Sequence, residues 1–411
     1  MTTEKYYQHD VDCRELNGRI EAIQNDGKNT RIIMDRTVFF PTGGGQPCDT
    51  GTIVTPDGTS ISVVDVQEDK ESGIISHTIE IDPSEIDALQ VGMTVTQKLN
   101  EDRRRVNTQR HTGEHILTGA FIRLFGGANK GFHMGGEYVT IDMDYDGKKL
   151  TEEQVRAAEK LANEVIWANL PVTVSTFPNR EEASVMPTRK PVTQDGEITI
   201  VTIGDLESPH DCVACCGTHF HRTGEVGLIR VHKFEPNKGM NRIYFECGDR
   251  ALESMQSDDT LLRSVQEHFS AGSHDLLQKM DIRDEKEAEL RQDCTGLRQY
   301  YRDREMARIT SLLHRDTPDF YQDSFTLVSP DDLLKLGFAV MEDEAAPALM
   351  ALVHRPSHTV LLFSDGSRNC GALVKEHAKS LGGRGGGRPD QARALMPNED
   401  AVEKFIESLK E

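Results

Sequence analysis

Residues 111–115 read His111-Thr112-Gly113-Glu114-His115, and residues 211–219 read Asp211-Cys212-Val213-Ala214-Cys215-Cys216-Gly217-Thr218-His219. On a helix, a spacing of four sets two imidazoles on one face about one turn apart, which makes His111 and His115 a chelating pair. The second stretch packs thiolates and an imidazole around a glycine that lets a tight loop approach a metal. Neither stretch alone supplies the three or four donors of a metal site, but together they do. A mixed nitrogen and sulfur set selects zinc over magnesium or calcium. Spacing leaves open whether Cys212, Cys215 or Cys216 gives the thiolate. The fold must therefore bring a helix against a loop far down the chain.

Outward from the helix the pattern changes on both sides. From about Glu101, apolar positions such as Val106, Ile116-Leu117 and Phe121-Ile122 recur at helical spacing up to the stop at Gly126-Gly127. Residues 1–95 read instead as short strands between turns such as Asn25-Asp26-Gly27 and Pro56-Asp57-Gly58, which predicts a small β-barrel or sandwich. Residues 96–250 are expected to form an α+β domain, with a capped helix over 151–169, a strand over 197–203 and a hairpin over 226–247. Residues 251–315 are charged and helical with little apolar surface, as suits a connector or an arm that pairs two copies in a homodimer. Residues 316–411 predict an α/β unit ending in the glycine-rich run Gly382-Gly383-Arg384-Gly385-Gly386-Gly387-Arg388. The expected class is α+β.

A length of 411 residues suggests roughly two or three domains. No apolar run approaches the ~18 residues of a membrane span, and residues 1–10 have neither the basic start nor the apolar stretch of a secretory signal, so a cytoplasmic location is expected. Eight cysteines, three of them crowded at 212, 215 and 216, point to metal or catalysis rather than a disulfide scaffold. A net charge of -21 argues against a general nucleic-acid binder, so any RNA contact must come from local patches. One lies between Arg355 and Arg393, where seven Lys/Arg, including Lys379, Arg384 and Arg388, face three acids. Another is Arg103-Arg104-Arg105 with Arg110.

Two further readings bear on chemistry. His-x-x-Glu-His is also the signature of inverted zinc metallopeptidases, with Glu114 as general base, but that reading leaves the cysteine loop unexplained. Thr37-Val38-Phe39-Phe40-Pro41-Thr42-Gly43-Gly44-Gly45-Gln46 offers glycines, Gly44 among them, for close backbone approach to a ligand and Gln46 as donor and acceptor. No Gly-Lys-Ser/Thr follows, so it is not a nucleotide P-loop.

With these segments in view, the chain resembles the free-standing alanyl-tRNA editing proteins, relatives of the editing domain of alanyl-tRNA synthetase. The resemblance rests on residues 37–51, 110–117, 131–135, 215–219 and 223–227 in order, and extends to the glycine-rich tail over 382–389, as in a long-form editing protein. It implies hydrolysis of serine, with glycine as a second candidate, from tRNA(Ala) bearing the wrong amino acid. It implies zinc ligands His111, His115, Cys215 and His219, with Cys215 chosen by family register, and recognition of the serine hydroxyl by Thr37 and Gln46. Glu114 and His133 remain as candidates for proton transfer, Glu114 also as a carboxylate that orients a histidine. Four protein ligands would close the shell, whereas a hydrolytic zinc keeps one position open. A protein that binds tRNA without turnover is the competing reading of another class. The tail cations Lys379, Arg384 and Arg388 are expected on the tRNA.

Overall fold

The computed structural model describes residues 2–82, 86 and 89–410. It divides into two compact units, Met1–Ser264 and Val265–Glu411. No helix of the described residues is long and apolar enough to cross a membrane.

In the first unit, six antiparallel strands close a barrel: β1 (Glu15–Asn25), β2 (Thr30–Met34), β3 (Gly51–Val54), β4 (Ser60–Asp69), β5 (Ile74–Glu80) and β6 (Thr94–Leu99), in the order β1-β2-β5-β4-β3-β6. Alternation along the strands sends Ile32, Val63, Ile75 and Val95 inward to one apolar core. The barrel expected over residues 1–95 is thus present in closed form.

The chain then enters α1 (Glu101–Phe125), where Asn100 caps the start by accepting from Arg103 N, and Glu101 and Asp102 complement the helix dipole. Gly126, at a φ of 72°, ends it where the sequence predicts. Its central residues are buried on nearly every side. Ile116, Leu117 and Phe121 share a core with α2 (Glu152–Trp167) and with the sheet β12-β13-β8-β7, built from β7 (Ala128–Met134), β8 (Val139–Asp144), β12 (Ile229–Asn237) and β13 (Met240–Cys247). The capping box of Thr151 and Gln154 starts α2. A second sheet, β9 (Val172–Phe177), β10 (Ile198–Ile203) and β11 (Asp211–Ala214), delivers the cysteine loop from the end of β11. After β13 the chain forms α3 (Gly248–Phe269).

In the second unit, α4 (Leu276–Asp316) has only Leu276, Ile309 and Leu313 buried, while Leu290, Leu297 and Tyr300 are exposed. It leads into a five-stranded sheet with α5 (Pro330–Met341) and α6 (Glu399–Ser408). The order β14-β15-β16-β18-β17 joins β14 (Phe320–Phe325), β15 (Leu349–His354), β16 (Thr359–Ser364), β17 (Arg384–Gly387) and β18 (Gln391–Leu395). Only β14 and β15 run parallel, so the unit is mixed rather than the expected α/β. The short links between β15 and β16 and between β17 and β18 allow only antiparallel pairing.

Residues 384–387 of the glycine-rich tail form the exposed edge strand β17. A Cβ on Gly385 would lie 2.0 Å from Arg393 O and one on Gly387 2.3 Å from Gln391 O, so the glycines let this strand approach β18. The arginine run at 103–105 is not a free basic patch either. Arg104 is buried against Asp49 at 2.7 Å, Arg103 donates to Cys48 O, Arg105 pairs with Asp249, and Arg110 is buried against Glu246. Burial made partners obligatory for Arg104 and Arg110, and helical spacing alone does not show which face is inside.

Candidate metal centre and its cavity

The four side chains implied by family register converge. One donor atom from each of His111, His115, Cys215 and His219 falls within 4.8 Å of the others. The α1 pair faces the loop after β11: Cys215 Sγ lies 3.2 Å from His111 Nε2 and 3.4 Å from His219 Nε2. Ring centroids of His111 and His219 stand 4.7 Å apart, and those of His115 and His219 4.6 Å. Gly217 is essential to this approach, since a Cβ there would lie 2.1 Å from His111 Cε1.

The imidazoles are oriented from behind. His111 Nδ1 donates to Gln46 Oε1 at 2.7 Å, and His115 Nδ1 to Asp211 Oδ2 at 2.9 Å. Each contact fixes the tautomer that leaves Nε2 free as a lone-pair donor, the arrangement found around zinc-bound histidines. His219 Nδ1 is buried without a hydrogen-bond partner among the described residues. Burial pushes the Cys215 thiol up, yet the imidazoles of His111, His219 and His115 more than reverse this and hold it well below its ordinary range. Burial pushes His115 down, but Glu114 and Cys215 outweigh it and raise the imidazole to about 10, so a bound cation takes the place of the proton on Nε2. A thiolate and a carboxylate around oriented imidazoles form a pocket that favours a cation, and the donor set fits zinc.

Gln46 does more than touch His111. Its Oε1 accepts from Thr218 N and its Nε2 donates to Thr218 Oγ1, both at 3.1 Å, tying the glycine loop of the barrel to the cysteine loop. Thr37 lies elsewhere. It is fully buried in the barrel, its hydroxyl 2.8 Å from His77 Nε2 and 3.2 Å from Gln97 Oε1. The structure therefore does not bring Thr37 to the cluster, and engages Gln46 in positioning rather than leaving it free for a ligand. In both cases hydrogen-bonding groups that sequence offers to a ligand are taken up by protein partners far along the chain.

His133 is also displaced from the expected role. On β7 the side chains alternate, so Phe132 stacks 5.0 Å from His111 while His133 is exposed. Glu114 does belong to the site. It is buried, its Oε1 accepts from Thr118 Oγ1 and Asn129 Nδ2 at 2.7 Å each, and its Oε2 lies 3.6 Å from His115 Nε2. Burial favours its neutral form, but His115 and Arg189 win and lower its pKa. Cys212 stays apart, buried against Thr202 Oγ1 at 3.4 Å, and Cys216 is exposed.

A cavity of about 620 Å³ opens beside the cluster, lined by Gly44, Glu114, Phe132, Arg189 and Cys216 as well as His111, His115 and Cys215. Sequence reasoning gave no role to Asp211, Asn129, Arg189 or Thr218. Asp211 was legible only as a carboxylate in the cysteine loop; the run Thr188-Arg189-Lys190 carries no motif. Arg189 Nε sits 3.1 Å from Asp211 Oδ1, and Arg189 Nη2 3.7 Å from Glu114 Oε1.

Three family models match this chain in order. They are tRNA synthetases class II (A) over residues 2–103, the threonyl and alanyl tRNA synthetase second additional domain over 198–244, and the DHHA1 domain over 338–411. Stretch by stretch, the chain is thus similar to domains described for class II, threonyl and alanyl tRNA synthetases. More particularly, its relatives are alanine–tRNA ligases and an alanyl-tRNA editing protein, and the resemblance read from the motifs holds. The chain is 28% identical over 422 residues to the alanine–tRNA ligase of Thermococcus kodakarensis, covering 99% of this chain and 43% of the ligase. It is 30% identical over 428 residues to that of Pyrobaculum calidifontis, covering 100% of this chain and 44% of the ligase. It is 34% identical over 254 residues to the alanyl-tRNA editing protein AlaX-L of Pyrococcus horikoshii, covering 61% of this chain and 60% of that protein. The chain thus spans less than half the length of the ligases it matches.

Proposed function

We propose that this chain is an editing hydrolase that removes serine, and with lower preference glycine, from mischarged tRNA(Ala), using one zinc ion held by His111, His115, Cys215 and His219. The observation that carries this reading is the convergence of those four donors at the side of an open cavity. The likeness to an alanyl-tRNA editing protein supports the choice of substrate. When bound, zinc supplies Lewis acidity at the ester.

The chain's own residues supply position. Gln46 and Asp211 hold the imidazoles of His111 and His115, and Phe132 packs on His111 and shields one side of the cluster. An aminoacyl ester is labile, so a site that orients it needs little base strength. Glu114 lines the cavity and, held ionised by His115 and Arg189, accepts a proton there; Thr118 and Asn129 hold its Oε1 in place. Lys379, Arg384 and Arg388 contact the tRNA backbone.

A cavity that hydrogen-bonds the extra hydroxyl of serine rejects alanine strongly. The test is a comparison of purified, zinc-loaded protein on seryl-tRNA(Ala) and alanyl-tRNA(Ala). The reading expects serine release well ahead of alanine release. Equal rates would remove the editing assignment, and tRNA binding with no release would favour the protein without turnover. The inverted metallopeptidase reading loses its basis, because the cysteine loop completes the donor set.

A further inference from the structure

Two cations of the cavity rim have no role in the chemistry described so far. Lys130, next to Asn129 on β7, and Lys190, next to Arg189, both line the cavity and are exposed. Among the described residues neither ammonium has an ion-pair partner, whereas Lys5 on the same wall is held by Glu68 at 2.6 Å and Arg189 by Asp211 at 3.1 Å. Arg189 Nη1 is buried without a hydrogen-bond partner among the described residues and lines the same cavity. The one exposed carboxylate on this lining, Glu197, forms no ion pair among the described residues. Burial and the neighbouring Arg189 and Lys130 push Lys190 down, against the opposing pull of Glu114 and Asp211, so Lys190 lies within electrostatic reach of Lys130 and Arg189. In a chain of net charge -21, these cations line one cavity. They repel one another unless an anion joins them.

We propose that Lys130 and Lys190 form a phosphate subsite that takes the 5′-phosphate of the substrate's terminal nucleotide, while the aminoacyl ester reaches inward to the histidine and cysteine cluster. This rests on the deacylase reading and deepens it. The esterified serine keeps only its ammonium charge and brings no anion; the nearest negative charge on the substrate is that phosphate, one ribose away from the ester. Lysines suit it as mobile point charges on flexible stems. The arrangement fixes the direction in which the tRNA end enters, because only one orientation sets phosphate at the rim and ester at the cluster.

The test uses adenosine 5′-monophosphate and adenosine as probes of the zinc-loaded full chain by calorimetry, with wild type and the double variant Lys130→Gln, Lys190→Gln. Both residues are exposed, and unchanged zinc content and circular dichroism confirm an intact fold. Wild type is expected to bind the monophosphate about tenfold more tightly than adenosine, and the double variant to lose that preference. A wild type that does not discriminate, or a double variant that keeps the preference, overturns the subsite. Seryl-tRNA(Ala) that stays charged beside an intact monophosphate preference removes the deacylase reading alone. Serine release without that preference removes the subsite alone.

Discussion

Gln46 and Thr37 show how one residue's role depends on what stands opposite it. Both carry groups suited to a serine hydroxyl, yet Gln46 accepts from His111 and Thr37 contacts His77 inside the barrel. Gln46→Ala is therefore expected to weaken zinc affinity by roughly tenfold to a hundredfold, as removal of a contact behind a metal ligand does. Thr37→Val is expected to leave that affinity unchanged and to cost about 1–3 kcal/mol of stability. A zinc competition titration decides between them, and equal effects from both variants would count against the assignment. His111 and His115 were legible from spacing alone, because the helix repeat is a local property. The choice of Cys215 came from family register. The contacts of Gln46 were not legible, since its partners lie far along the chain and no periodicity links a barrel loop to a helix face.

At the level of elements, the cysteine loop works because Gly217 leaves room for His111. Gly217→Ala would set a methyl 2.2 Å from His111 Nδ1 and 3.0 Å from Gln46 Oε1, which must displace the ring. Zinc per chain, measured by atomic absorption after dialysis, is expected to fall well below one; full retention would show that the loop can yield. The barrel carries a pH dependence of its own. Burial pushes the His77 imidazole down to about 4, against about 6.5 in an unfolded chain. Between those values the unfolded state binds the extra proton, so stability is full above about pH 6.5 and is lost as pH falls towards 4, by roughly 3 kcal/mol in total. Hydrogen exchange of barrel amides, corrected for intrinsic rates, should show this slope between pH 7 and pH 5, and His77→Gln should flatten it. Identical slopes in both proteins would contradict the assignment. The barrel was legible from turns and alternation, and α1 from apolar spacing and its glycine stop. The edge strand β17 was not, because one arginine followed by three glycines has no side-chain period to read.

Across the whole molecule, charge divides by function. The chain is acidic, while Lys379, Arg384 and Arg388 stand exposed in the second unit and Lys130 and Lys190 at the cavity of the first. Arg384→Ala with Arg388→Ala is expected to weaken tRNA binding and to lower the slope of log affinity against log salt by about one to two, with zinc content unchanged. An unchanged slope would remove these arginines from the tRNA contact. The basic run at 103–105 looked equally suitable in sequence, but its arginines are spent on Asp49, Cys48 and Asp249. Composition alone does not separate a cation that faces a partner within the fold from one that faces solvent. The central claim is that the cluster of His111, His115, Cys215 and His219 holds the zinc on which ester hydrolysis depends. The most direct measurement is serine release from seryl-tRNA(Ala) by the full chain before chelation, after chelation, and after zinc is restored, beside Cys215→Ala. Release that stops on chelation, returns with zinc and is absent in Cys215→Ala is the predicted result; release that persists in the metal-free protein would contradict it.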